Sequence, residues 1–112
     1  MENYYKLLED GISMDVANPK GVTPLMHIAG SGDHILLELV AQKTTHINAE
    51  DEDGNSALYF AMMANDLEAV KILYNHGARI TDFIYMMAIH HKRKKISEFF
   101  DKQDSNKEIF YS

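Results

Sequence analysis

The strongest constraint on this chain is that it restates itself. Gly21-Val22-Thr23-Pro24-Leu25 returns 33 residues later as Gly54-Asn55-Ser56-Ala57-Leu58. The echo continues, with Gly32-Asp33 returning as Asn65-Asp66, Leu37 as Val70, Val40 as Leu73 and Ile47 as Ile80. A fixed period of this length implies stacked copies of one small unit, each completed by its neighbours because it cannot bury its own apolar face.

The local signals say what each unit is made of. Asn18-Pro19-Lys20-Gly21 reads as a turn, since Pro fixes one backbone angle and Gly takes a positive one. Thr23 is placed to cap the following helix, with Pro24 at its first position, where no amide bond is lost. Leu25, Ile28 and Ala29 are its inward face, and Gly30-Ser31-Gly32 ends it. Asp33 opens a second helix whose Ile35, Leu36, Leu39 and Val40 read as a broad apolar face. Lys43-Thr44-Thr45 stands where a glycine turn is usual. The next unit, residues 51–83, repeats the plan. Asp51-Glu52-Asp53-Gly54 is its turn, Ser56 its cap, Leu58, Ala61 and Met62 its inner face, and Leu67, Val70 and Leu73 its second helix, stopped at His76-Gly77.

The two ends depart from the plan. Tyr4, Leu7 and Leu8 match the second half of a unit, which predicts a half-repeat cap closing at Gly11. At the other end, Ala61 recurs as Ala88 after 27 residues, so about six residues of turn are missing. Helices are predicted over 83–91 and 95–102, with Met86 and Met87 against the preceding unit and Ile96, Phe99 and Phe100 inward. The expected domain is 1–103, followed by a polar tail, 104–112, whose Ile109-Phe110-Tyr111 either folds back or serves as a short ligand motif.

These units resemble ankyrin repeats, in which a turn, two antiparallel helices and an extended finger recur. The family's Asp, Gly, Thr, Pro and Leu of the turn and first helix stand here as Asn18, Gly21, Thr23, Pro24 and Leu25, then as Asp51, Gly54, Ser56, Ala57 and Leu58. Its Gly-His opening of the second helix is Gly32-Asp33-His34 and Asn65-Asp66-Leu67, and its closing Gly-Ala is Gly77-Ala78. The family's His after the Leu is Met26 in one copy and Tyr59 in the other, which removes a usual bond between repeats. The expected fold is all-α, a short solenoid of two full repeats between a half-repeat cap and a truncated last repeat. The resemblance implies protein binding through a concave face made of finger tips and first helices.

Composition narrows the function. With 46% hydrophobic and 25% charged residues, the 112-residue chain reads as one folded domain. A net charge of -6 disfavours nucleic acid, which needs a positive face. The basic run His90-His91-Lys92-Arg93-Lys94-Lys95 lacks interleaved aromatics and reads as a solvated turn. Without cysteine there is no thiolate chemistry, and the six histidines form neither HExxH nor a helical i, i+4 pair. Asp51, Asp53 and Asn55 fail as a calcium loop because Ser56 stands where glycine is required. There is no phosphate-cradling glycine loop and no nucleophile elbow. No cofactor, metal or catalysis is expected. No secretory signal or membrane span is legible, which makes the cytoplasm the expected address.

The candidate contacts are therefore Lys20, His27, Glu50, Glu52, Asp53, Asn55, Tyr59 and Met63. The run Glu50-Asp51-Glu52-Asp53, at a finger tip, reads as an acidic hook for a basic patch on a protein partner. Tyr59 and Met63 are expected to point into the groove, as His27 and Ser31 do one unit earlier, and to act as anchors. A lone binding module of this size suggests blockade. Stand-alone ankyrin-like proteins resemble immunity or inhibitor proteins that neutralise a toxin or enzyme, and an acidic one suits a basic target. The alternatives are an adaptor linking two partners and a structural homo-oligomer. The expected state is a monomer or a weak dimer.

Overall fold

In the computed structural model, which describes residues 4–103, seven helices follow one another and no strand forms among the described residues. They are α1 (Tyr4–Glu9), α2 (Pro24–Ala29), α3 (His34–Lys43), α4 (Ala57–Met63), α5 (Leu67–Asn75), α6 (Asp82–His90) and α7 (Lys94–Gln103). Helices α2, α4 and α6 pack side by side as an inner row, and α1, α3, α5 and α7 form an outer row. The stack is 51 Å long and 23 Å across. The segment 104–112, with Ile109-Phe110-Tyr111, lies outside the described residues.

One core runs the length of the stack between the rows. Leu25, Ile28 and Ala29 of α2, Leu58, Ala61 and Met62 of α4, and Val70 and Leu73 of α5 are buried in it, as are Ile96 and Phe100 of α7. Two expectations for α3 fail. Its buried face is Leu36, Leu37, Val40 and Ala41, whereas Ile35 is 72% exposed and Leu39 also faces out. An outer helix is covered on one side only, so its apolar stripe is narrower than its apolar content. Met86 also differs from expectation, being 67% exposed, while Met87 packs against the core. Met14 is fully buried. It sits 33 positions before Ile47 and so belongs to the same series as Ile47 and Ile80, a membership hidden by its different side chain.

Local chemistry repeats with the period. Thr23 caps α2, its Oγ1 accepting from the Met26 amide at 3.3 Å. Ser56 holds the equivalent place but its side chain makes no capping bond, so α4 starts without the expected cap. Asp33 accepts from the Leu36 amide and Asp66 from the Ala69 amide, capping α3 and α5. Each carboxylate has a second duty. Tyr5 donates to Asp33 at 3.2 Å, and His34 Nε2 donates to Asp66 at 2.8 Å, so each cap is also tied to the preceding repeat. His76 further reaches back to Glu38 across α3 and α5. Two residues before each second helix the backbone is left-handed, with φ of 85° at Gly32, 57° at Asn65 and 59° at Lys92.

Between the second helix of one repeat and the first helix of the next, a side chain from the preceding finger locks the turn. Asp15 accepts from Thr44 Oγ1 (2.6 Å), the Thr45 amide (2.8 Å) and Thr45 Oγ1 (2.7 Å). The Thr44 hydroxyl first, then the Thr45 donors, hold the Asp15 carboxyl down at about 2. One period later Asn48 does the same work with an amide, accepting from Arg79 N and donating to the Gly77 carbonyl. Thr44-Thr45 thus closes a turn without glycine because a carboxylate meets it.

The last repeat is truncated at its finger. Residues 44–56 join α3 to α4, but only 76–81 join α5 to α6. Helix α6 spans nine residues where α4 spans seven, so the helix takes over part of the lost length. Its basic turn is also structural, because Arg93 donates to the Met62 carbonyl (3.3 Å) and the Met63 carbonyl (2.8 Å). It thereby adds a charged donor at the carbonyl end of α4, where the Met62 carbonyl already accepts the Asn65 amide.

Candidate functional site

Two fingers project from the inner row, one ending in Asn18–Gly21 and the next in Asp51–Gly54. Their tips are shaped by the same device. Asn18 Oδ1 accepts from the Lys20 and Val22 amides, and Asp51 Oδ1 accepts from the Asp53 and Asn55 amides at 2.9 and 3.0 Å. Gly21 and Gly54 follow with φ of 80° and 81°, which glycine alone takes without strain. Asp51 is therefore a turn-former within the acidic run. Glu50, Glu52 and Asp53 are exposed, and nothing among the described residues pairs with their carboxylates. The fingers touch through their backbones, with the Glu52 amide donating to the Lys20 carbonyl at 2.8 Å.

Beyond the second finger, where a third would lie, there is a cleft of about 330 Å³. Glu50, Asp53, Gly54 and Asn55 line one wall, and Thr81, Phe83 and Ile84 of the last repeat line the other. Tyr59 forms part of the floor and stacks on Phe83, centroids 5.9 Å apart at 19°, while meeting Phe60 edge-on. Four of the eight sequence-derived candidates, Glu50, Asp53, Asn55 and Tyr59, meet in this cleft. The truncation that shortens the repeat creates it.

The other four lie apart from it. Lys20 is exposed on the first finger, and Glu52 faces it through the backbone bond. His27 is exposed on α2 and hydrogen-bonds Tyr4 through Nδ1 at 2.9 Å. It borders a separate groove with Met26, Gly30, Ser31, Asp51 and Phe60. Met63 is half-buried at the end of α4, its carbonyl held by Arg93. The expected matching of Tyr59 and Met63 with His27 and Ser31 does not hold. The residues 33 positions before Tyr59 and Met63 are Met26, which is buried, and Gly30, while His27 corresponds to Phe60. Thr81, Phe83 and Ile84 are site residues that the sequence reading missed; a shortened spacer before an apolar-rich helix was the available signal.

Among the described residues no three His, Asp or Glu side chains converge as metal ligands. None of their helices is long and apolar enough to cross a membrane. His90 and His91 have their rings in contact at 5.0 Å.

Residues 2–84 match the ankyrin-repeat family as three copies, and the chain belongs to that family. Its members are protein-interaction modules without chemistry of their own. Among curated relatives, the chain is 35% identical over 77 residues to the potassium channel AKT2/3 of Arabidopsis thaliana, covering 69% of this chain and 10% of the channel. It is 33% identical over 81 residues to human transient receptor potential cation channel subfamily A member 1, covering 70% of this chain and 7% of that protein. It is 36% identical over 74 residues to rat ankyrin repeat and SAM domain-containing protein 6, covering 65% of this chain and 8% of that protein. The chain thus spans a tenth or less of the length of these relatives.

Proposed function

We propose that this protein binds a partner protein bearing a basic surface and blocks it, in the manner of an inhibitor or immunity protein. The observation that carries this reading is the acidic second finger. Glu50, Glu52 and Asp53 stand exposed around a tip whose shape is already secured by Asp51 and Gly54. Like charges gathered without an internal partner repel one another, and a cationic surface relieves that repulsion. Beside them, Tyr59 and Phe83 supply the aromatic surface that anchors protein interfaces. The contacts of the bound state are Glu50, Glu52, Asp53, Asn55 and Tyr59, with Lys20, His27 and Met63 at the periphery.

The test is affinity capture from lysate of the source cells, with a parallel Glu52→Lys, Asp53→Lys protein, followed by assay of the captured partner's own activity. One stoichiometric basic partner, lost on charge reversal and inhibited by the wild-type protein, is expected. A partner whose activity is untouched when bound ends the blockade reading.

A further inference from the structure

The 33-residue translation gives each backbone carbonyl of the first finger a counterpart in the second, so their surroundings can be compared position by position. The Lys20 carbonyl accepts the Glu52 amide from the next finger. Its counterpart, the Asp53 carbonyl, accepts no backbone N–H among the described residues. A Cβ placed on Gly21 would lie 3.1 Å from Asp51 Cα, because the second finger passes close against it. A Cβ on Gly54 would meet nothing within 4 Å. The second finger keeps the docking edge of the first and lacks the neighbour.

We propose that this edge takes an extended, arginine-bearing segment of the partner, lying where a third finger would lie and giving a backbone N–H to the Asp53 carbonyl. This rests on the protein-binding reading above and specifies the partner's element. An extended segment is required because the neighbour on the first finger is backbone, brought close at a glycine; addition of a strand-like segment to an open edge reuses that geometry. Arginine is required by the walls. Glu50 and Asp53 offer carboxylates to a guanidinium fork, and Tyr59 and Phe83 offer ring surface to its planar face. Phe83 is 53% exposed, so that surface is open. Lysine satisfies the charge but not the stacking.

The probe is the peptide acetyl-Val-Arg-Val-Arg-Val-amide, titrated into the full chain while backbone amide NMR shifts are followed. Shifts at Gly54, Asn55, Tyr59, Phe83 and Ile84 are expected. Lysine replacement should weaken binding about 3-fold, and full N-methylation, which removes every backbone donor but keeps the charge, about 10-fold. Phe83→Ala, on an exposed position, should match the lysine loss without unfolding the protein. Equal binding of the N-methylated peptide, or shifts confined to the groove of His27 and Phe60, overturns the proposal. Inhibition of a captured partner with no peptide shift at the cleft likewise overturns it, while blockade stands. Peptide shifts at the cleft without a single inhibited partner support this edge and remove blockade instead.

Discussion

Replacing Asp15 by alanine tests whether the stack is held by its turn locks as well as by its core. The carboxylate receives three hydrogen bonds, from Thr44 Oγ1, Thr45 N and Thr45 Oγ1, all at 2.6–2.8 Å. A bond to a charged acceptor contributes about 1.5–3 kcal/mol when shielded from water. Asp15 is half-exposed, so solvent competes, and the three together are placed at about 2 kcal/mol rather than at their sum. For a domain of this size that corresponds to a fall in Tm of about 8–16 °C. Urea unfolding at pH 7 should show this loss for Asp15→Ala and about half of it for Asp15→Asn, which keeps one acceptor. The pH dependence gives a second reading. The folded carboxyl sits at about 2, below its ordinary 3.8, so its contribution is complete above the ordinary value and is lost as pH falls through about 2. The gap between wild type and Asp15→Ala should therefore close as pH is lowered from about 4 toward 2. A gap under about 0.5 kcal/mol at pH 7, or one unchanged down to pH 2.5, would refute the reasoning.

Two further substitutions probe the truncated end. Lys92 holds φ of 59°, where Gly32 stands in the first unit, so Lys92→Gly should stabilise by about 1 kcal/mol, read as a higher urea midpoint; an unchanged or lowered midpoint counts against strain there. Arg93→Ala leaves the Met62 and Met63 carbonyls without their charged donor and should destabilise by about 1–3 kcal/mol. Arg93→Lys should restore little of it, since one ammonium cannot reproduce the fork; full rescue by lysine would reduce the contact to simple charge.

Much of the fold was legible because repetition supplies its own alignment. Gly21 and Gly54, Thr23 and Ser56, and Asp33 and Asp66 mark turns and helix starts in both units, and the helices begin there. What the sequence hid depends on surroundings. Ile35 and Leu39 read as core, yet an outer helix has neighbours on one side only. Arg93 read as one of a solvated run, and only the path of the chain brings it to the end of α4. Within the site, the acidic finger was visible as a run of like charge. The cleft was not, because it is made by residues that are missing, and a deletion shows in sequence only as a shorter count. Phe83 enters the site because the shortened link draws α6 toward the finger.

The double duty of Asp33 and Asp66 has a consequence for how the molecule opens. Each carboxylate nucleates its own helix and also grips the repeat before it, so a helix cannot unwind at that end without loosening its neighbour. Opening of the central helices is thereby coupled from one repeat to the next. At the start of α7 the corresponding residue is Arg93, which grips the inner row instead. Helices α6 and α7 are therefore joined to the repeat before them by core packing, by the Tyr59–Phe83 and Tyr74–Phe99 ring contacts and by the Arg93 guanidinium, but, among the described residues, by no shared cap carboxylate. Amide hydrogen exchange should release them together, ahead of the centre.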